Sequence, residues 1–138
     1  MSNIAFKLVS PSQDLLSTDT RMVIVPGAEG DMGLMAGHSS VVSTLRAGEV
    51  ILRDGDTDVR WFIEGGFVEV TATQVTLLAE HAVAMTDVTL AGAEQELKDA
   101  QSAFDNIDKA NTSMFNRATM ELNVAKAKIK AIESPAYA

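Results

Sequence analysis

The chain has 138 residues, of which 46% are hydrophobic, and a formal net charge of −8. This length and composition fit one ordinary domain, or a small domain with an appendage, that folds around a core. The negative charge excludes a nonspecific nucleic-acid-binding protein, since phosphate contacts need Lys and Arg, and the lack of cysteine excludes a disulfide framework, a thiolate zinc site and a cysteine nucleophile.

From the amino-terminal segment we expect a protein that stays where it is made. Residues 1–7 lack the basic and apolar regions of a signal peptide. No apolar run in the sequence approaches the roughly 20 residues needed to cross a bilayer. We therefore expect a soluble globular protein that is not inserted directly into a membrane.

The part of the chain before Thr86 predicts short strands. Apolar residues alternate with polar ones in several runs, among them residues 4–8, 22–25, 50–52 and 59–63. Turn signals such as Pro26-Gly27 and Asp54-Gly55 separate these runs at a spacing of roughly 8 to 12 residues, which is typical of a β-sandwich or barrel. The aromatic residues of this part lie in strand-like runs, and we expect them in the core: Trp61, Phe62 and Phe67.

A glycine-rich loop is predicted after the strand at residues 22–25. Its glycines are Gly27, Gly30, Gly33 and Gly37. Glycine allows positive φ but costs folding entropy, so a loop that carries this many glycines needs its particular shape. The side chains that the loop presents are Glu29, Asp31, Met32 and His38. We interpret the loop as a ridge that contacts a protein partner.

No pattern in the sequence predicts a catalytic, metal or cofactor site. The glycine-rich loop lacks the Lys and Ser/Thr of a phosphate loop, and Glu29 and Asp31 would repel a phosphate. His38 is followed by Ser39, but adjacent residues cannot form a nucleophile and base pair. The spacing of the acids and His38 matches no metal motif, and the aspartates at residues 54–58 lack the Gly and Glu of a calcium loop.

The period of the apolar residues becomes helical after Thr86. Two stripes step by three and four residues: Leu90, Ala93, Leu97, Ala100 and Phe104, and then Phe115, Ala118, Leu122, Ala125, Ile129 and Ile132. Asn111, Thr112 and Ser113 are candidate N-caps of the second helix. We expect a β domain over residues 1–86 and an antiparallel helical hairpin over residues 87–138. The first helix is acidic and the second basic, so they attract, although their small contact residues hold them weakly.

Residues 26–48 resemble the epsilon-subunit signature of F-type ATP synthases. The segment reads P-G-A-E-G-D-M-G-L-M-A-G-H-S-S-V-V-S-T-L-R-A-G, and the signature is G-x-x-G-[DE]-x-G-x-x-x-G-H followed by apolar residues and a closing Gly. Residues 62–70 and 75–80 are similar to a second block of that family, and the order of strands and helices matches it over the whole chain. The chain departs from the family at Ala36, Ser40 and Ala47, near places where prolines are frequent.

The resemblance implies a fold, a role and a location. The fold is an N-terminal β-sandwich of about ten strands followed by a C-terminal antiparallel two-helix hairpin. The role is that of a non-catalytic central-stalk subunit, which couples rotation of the c-subunit ring to ATP synthesis through contact with the gamma subunit. The location is peripheral, on the cytoplasmic face of a bacterial inner membrane. A free-standing regulatory or ligand-binding β-sandwich remains the alternative.

The resemblance also implies roles for individual residues. Contact with the c-ring falls on Glu29, Gly30, Asp31, Met32, Gly33 and His38, and the loop-shaping glycines are Gly27, Gly30, Gly33, Gly37 and Gly48. Possible contact with the alpha and beta subunits falls on Arg117, Lys126, Lys128 and Lys130. Inhibition of ATP hydrolysis, a solvated helix face and pairing with the first helix all remain open for these cations. Thr89 and Gly92 stand where the family's ATP motif has Asp and Arg, so we expect neither ATP binding nor another cofactor.

Overall fold

The structure, a computed structural model, describes residues 2–135 and 137. The chain divides into two compact units, with the boundary between Met85 and Thr86. The strands of the first unit are β1 (Ile4–Val9), β2 (Asp14–Thr20), β3 (Met22–Gly27), β4 (Gly30–Leu34), β5 (Val41–Asp54), β6 (Thr57–Val70), β7 (Gln74–Leu78) and β8 (Ala82–Ala84). A single 3-10 turn (Met85–Asp87), α1 (Leu90–Asp105) and α2 (Thr112–Glu133) follow.

The eight strands form one hydrogen-bonded sheet in the order β2-β1-β7-β6-β5-β3-β4, with β8 beside β6. The pairing of β1 with β7 is parallel, and the other pairings are antiparallel. β7 pairs with the second half of β6, whereas β8 pairs with the first half. The long strands β5 and β6 therefore belong to two layers, and side chains from both layers share one core.

The sheet bends where the ladder between β5 and β6 is interrupted. Residue pairs run continuously on both sides of this point, but no pair joins Arg46 to Gly65. Gly65 and Gly66 have φ angles of +111° and +147°, which residues with a Cβ rarely adopt. The side chains that face the core are odd-numbered before the bend, as at Ile63, and even-numbered after it, as at Val68. The bend thus reverses the alternation of β6.

This reversal makes one prediction about the core wrong. Trp61 packs partly against the core. Phe62 is buried, but it lies on the opposite face of β6 from Ile63 and outside the core cluster, and the side chain of Phe67 is 55% exposed. A strict alternation from Trp61 would place residue 67 inside. Because the alternation changes at Gly65 and Gly66, Val68 takes the inner position and Phe67 lies on the outer face.

The predicted β-sandwich followed by two helices is confirmed. The described residues contain eight strands and not the ten or so that were expected. The difference arises because β5 and β6, of 14 residues each, continue through the bend and contribute to both layers. Thr20, the last residue of β2, joins this strand to β5, since its hydroxyl donates a hydrogen bond of 3.0 Å to the carbonyl of Arg53.

In the helical unit, α1 and α2 pack against each other through a small apolar interface. Its buried residues are Ala100, Leu122 and Ala125, with Leu97 and Phe104 packed against them. Asn111, one of the three predicted candidates, is the N-cap of α2 and accepts a hydrogen bond from the amide of Met114. The charges of the helices meet at Lys128 and Glu96, whose Nζ and Oε2 atoms are 2.9 Å apart. Two of the three buried residues are alanines, which bury little area, so this interface is small.

A fragment that ends at Asp87 is expected to melt cooperatively, within roughly 5 °C of the full chain. The reason is that every residue of the β core lies before Met85. Differential scanning calorimetry and near-ultraviolet circular dichroism would measure this. A fragment with native strand content but no fixed tertiary signal would contradict the prediction.

Candidate protein-binding surface

The glycine-rich segment forms a tight β-hairpin. β3 and β4 pair from Val23 and Leu34 to Gly27 and Gly30, which leaves Ala28 and Glu29 as a two-residue turn. The prediction of an irregular loop is therefore wrong for residues 30–34. The reason is that Met32 packs partly against the core and Leu34 is buried, so this segment alternates as a strand. We call residues 27–34 the ridge.

The glycines of the ridge differ in whether their positions require a residue without a Cβ. Gly30 has a φ of +148°, and a Cβ on Gly27 would collide with the carbonyl oxygen of Gly30. A Cβ on Gly33 would meet only the terminal methyl group of Met22, which can move aside. The shape of the tip therefore depends on Gly27 and Gly30. Position 48 favours glycine for a different reason, since a Cβ there would lie 3.0 Å from the Cβ of Pro26.

The acids of the ridge have different surroundings. The guanidinium of Arg46, on β5, donates one hydrogen bond to the carbonyl of Gly27 and another to the carboxylate of Asp31. The side chain of Asp31 is 26% exposed, and its partner lies 15 residues further along the chain. Glu29 is exposed at the turn. The tip thus presents the charge of Glu29 freely, whereas that of Asp31 is paired.

His38 lies on a different turn from the ridge. Its amide donates to the carbonyl of Met35 at 3.1 Å, and its Nδ1 donates to the carbonyl of Ser39 at 2.7 Å. The neighbouring Gly37, whose φ is +86°, donates its amide to the carbonyl of Ala72 at 2.8 Å. The predicted contact residues are therefore grouped at the tip as Glu29, Gly30 and Asp31, with His38 on the connection to β5 and Met32 turned to the core.

A row of apolar side chains crosses the outer face of the layer that contains β1 and β7. Thr44 pairs with Phe67, Phe67 with Leu78, and Leu78 with Val9. Val42 lies on the same face of β5, two residues before Thr44. The side chains of Val42, Phe67 and Leu78 are 71%, 55% and 43% exposed. We call Val9, Val42, Phe67 and Leu78 the outer patch.

Exposed apolar side chains that adjoin one another mark protein-binding surfaces more often than scattered ones do. The sequence does not predict the outer patch, because the strand-like run around Phe67 places this residue in the core. The dipeptide Gly65-Gly66 is the signal that could have revealed it, since paired glycines inside a strand indicate a bulge. The ridge adjoins β5, the strand that carries Val42 of the outer patch, because the amide of Ala28 donates to the carbonyl of Thr44 at 3.0 Å.

A cluster of charges lies on the other layer. Asp58 accepts from Arg53 at 2.9 Å and from Arg60 at 3.4 Å, and Arg60 pairs with the nearly buried Glu49 at 3.1 Å. The hydrogen bond from Arg53, with the charge of both arginines, lowers the pKa of Asp58. The two arginines and the two acids neutralise one another. Such a cluster is typical of a structural ion-pair network and not of a general acid or base.

Other kinds of site are not found in the part of the chain that the structure describes. Over residues 2–135 and 137, no group of three or more His, Asp or Glu side chains could hold a metal ion. No helix in the same residues is long and apolar enough to cross a membrane. At the start of α1, the hydroxyl of Thr89 accepts the amide of Gly92 at 3.1 Å and so caps the helix.

The cations predicted to contact the catalytic head also differ from one another. Lys128 is engaged with Glu96, and its side chain is only 12% exposed. Arg117, Lys126 and Lys130 lie at exposed positions of α2. The helical hairpin therefore offers three cations to solvent at these positions.

These features define a small β-sandwich protein with an appended helical hairpin, whose distinctive surfaces are a hairpin ridge and an apolar patch. Residues 3–85 match the family model described as ATP synthase, Delta/Epsilon chain, beta-sandwich domain. The chain belongs to this family of ATP synthase delta/epsilon chains.

Curated bacterial relatives extend the similarity into the helices. The chain is 34% identical over 137 residues to the ATP synthase epsilon chain of Gluconacetobacter diazotrophicus, covering 99% of this chain and 97% of the relative. It is 32% identical to that of Granulibacter bethesdensis, covering 95% and 98% of the two chains. The epsilon chain of Caulobacter vibrioides is 46% identical over 83 residues, which are 60% of this chain and 96% of the relative.

A solved structure supports the fold. A chain in the cryo-EM structure of the Euglena gracilis mitochondrial ATP synthase, OSCP/F1/c-ring in rotational state 1, has a TM-score of 0.82 to this chain. It is 20% identical, and the similarity covers 94% of this chain and 81% of that one. At this identity the comparison shows the fold alone.

Proposed function

We propose that the chain is a non-catalytic central-stalk subunit of an F-type ATP synthase. In this role it couples rotation of the c-subunit ring to ATP synthesis through contact with the gamma subunit. Family membership supports the assembly, and the observation that carries the proposal is that two different surfaces adjoin one strand, β5: the ridge is hydrogen-bonded to it, and the outer patch includes its residue Val42. A subunit that transmits torque needs two such contacts that do not move relative to each other.

The outer patch is the proposed surface for gamma. Burying a large apolar side chain stabilises a complex by about 1.5–3 kcal/mol, so Val42, Phe67 and Leu78 together could supply several kcal/mol. Their direct neighbours on the same face include Thr44, Thr76 and Glu69, which would form a polar border. An apolar centre with a polar rim fits a permanent protein contact.

The tip of the ridge is the proposed surface for the c-ring. Glu29 stands on a two-residue turn, where a charged side chain reaches a partner without rearrangement of the backbone. His38 lies on the neighbouring connection and contributes a second polar group. Exposed charges of this kind give register and salt-sensitive attraction, about 1 kcal/mol or less for each pair.

The helical hairpin is the proposed regulatory part. Its apolar interface is small, with two alanines, two leucines and Phe104, so a competing partner could replace it. Arg117, Lys126 and Lys130 would then contact acidic segments of the alpha and beta subunits and slow ATP hydrolysis. In such an assembly the protein would be peripheral on the cytoplasmic face of a bacterial inner membrane; its similarity to bacterial ATP synthase epsilon chains supports a peripheral place in a membrane-associated complex.

Co-purification tests the assembly, and a ridge variant tests coupling. A tagged chain is expected to bring down gamma and the c-ring from membranes of its own organism. Replacing Glu29, Asp31 and His38 by Ala is expected to lower ATP-driven proton pumping several-fold while ATP hydrolysis changes less than twofold, because two exposed polar contacts of about 1 kcal/mol each are lost together with the bond between Asp31 and Arg46. Pumping by inverted vesicles measures this.

The matched control replaces Asp54 and Asp56, two exposed acids at the tip of the β5–β6 hairpin, by Ala. This control should leave both activities unchanged. Equal pumping per ATP by the ridge variant and the parent would rule out the ridge as the coupling contact. A tagged chain that is always recovered alone would favour the free-standing β-sandwich instead.

A further inference from the structure

The ladder that ties β3 to β5 is interrupted just before the ridge. The ladder between β3 and β5 joins Met22, Val23 and Ile24 to β5, and then shifts register before Gly27. Pro26 lies in the shifted segment and has no amide to donate. Beyond the interruption, the pair of Gly27 with Leu45 and the hydrogen bond from the amide of Ala28 to the carbonyl of Thr44 join the ridge to β5. A short hairpin held by so few backbone bonds would move easily unless side chains also hold it.

Arg46 supplies two further hydrogen bonds between β5 and the ridge. Its planar guanidinium reaches both arms of the ridge at once, the carbonyl of Gly27 on β3 and the carboxylate of Asp31 on β4. Arg46 itself lies at the bend of β5, where its own ladder pair with Gly65 is missing. A guanidinium has several N–H groups in a fixed fork, so it can hold two acceptors that a Lys, with one compact charge, cannot hold in the same geometry.

We propose that Arg46 is a positioning residue that clamps the ridge to the bend of β5. The same strand carries Val42 and Thr44 on its other half, and the amide of Ala28 bonds to Thr44. The clamp would make the ridge and the outer patch one rigid body. This inference rests on the proposed function for its biological meaning, but its structural part can be tested in the isolated full-length protein.

Hydrogen exchange measures the clamp directly. In Arg46→Gln the amides of residues 28–31 are expected to exchange at least about tenfold faster than in the parent, while the amides of β1 and β7 keep their rates. Arg46→Lys should lie between the two, since it keeps the charge but cannot bond both acceptors. The matched control is Arg53→Gln, at another arginine of β5. It removes two hydrogen bonds to Asp58 of β6 and should leave exchange at residues 28–31 unchanged.

The outcomes separate the clamp from the proposed function. Unchanged exchange at residues 28–31 in Arg46→Gln, with the protein still folded by circular dichroism, would overturn the inference, and so would full recovery in Arg46→Lys. If Arg46→Gln is too unstable to measure, the intermediate exchange expected of Arg46→Lys decides the question. Faster exchange with unchanged proton pumping per ATP in the assembled complex would support the clamp and refute the coupling role of the ridge.

Discussion

Replacing Phe67 and Leu78 together by Glu is expected to abolish association with the gamma subunit while the β unit stays folded. Both side chains are about half exposed, so the folded chain tolerates charge there. In a complex the same positions would be desolvated. Losing two apolar contacts costs about 3–6 kcal/mol, and burying two unpaired carboxylates adds to this, so affinity should fall at least ~1000-fold.

Sedimentation of the full-length chain with gamma, together with isothermal titration calorimetry, would measure this loss. The matched control is Val59→Glu, since Val59 is 45% exposed and lies on the same strand as Phe67 but outside the outer patch. The control should bind as the parent does. If the double variant binds gamma within tenfold of the parent, the contact with gamma lies elsewhere.

The fold could be predicted well where local patterns decide it. Ile4, Phe6 and Leu8 alternate and are all buried, because β1 has one face towards the core along its whole length. The helices follow from their apolar period and from Asn111 as a cap. These features depend on residues a few positions apart, which the sequence displays directly.

The failures of prediction arise where distant parts of the chain meet. The alternation of β6 changes at Gly65 and Gly66 because the sheet bends there, and Phe67 is consequently outside. The pairing of Asp31 with Arg46 depends on the register of β3, β4 and β5. A motif places the candidate residues on the ridge, but it cannot tell which of them a neighbouring strand has already engaged.

The lengths of the relatives bear on the roles of the two units. The similarity to the Caulobacter vibrioides epsilon chain spans 96% of that relative, yet only 83 residues. A chain of this length has room for the β unit alone. The proposed contacts with gamma and the c-ring both lie on the β unit, so they would be independent of the helical hairpin, and removal of the hairpin should affect regulation and not assembly.

Gly66→Ala is expected to be among the most destabilising single substitutions in the chain. A Cβ at this position would collide with the backbone carbonyl oxygen of Leu78 and would lie 3.2 Å from the Cα of Ala79. Backbone atoms of a paired strand cannot turn aside as a side chain can. The φ of +147° adds strain for any residue with a Cβ. Together these effects should cost about 3–5 kcal/mol and lower the melting temperature by roughly 15 °C or more.

Gly37→Ala separates the collision from the strain, because Gly37 also has a positive φ, +86°, but a Cβ there would meet nothing within 4 Å. This variant should lose only about 1–2 kcal/mol. Urea titration of both variants, with the slope of the transition compared with that of the parent, measures the difference. If Gly66→Ala unfolds at the same urea concentration as Gly37→Ala, the backbone at the bend relaxes freely. The bend would then be too soft to hold the ridge and the outer patch as one body, because both depend on the same corner of β5 and β6.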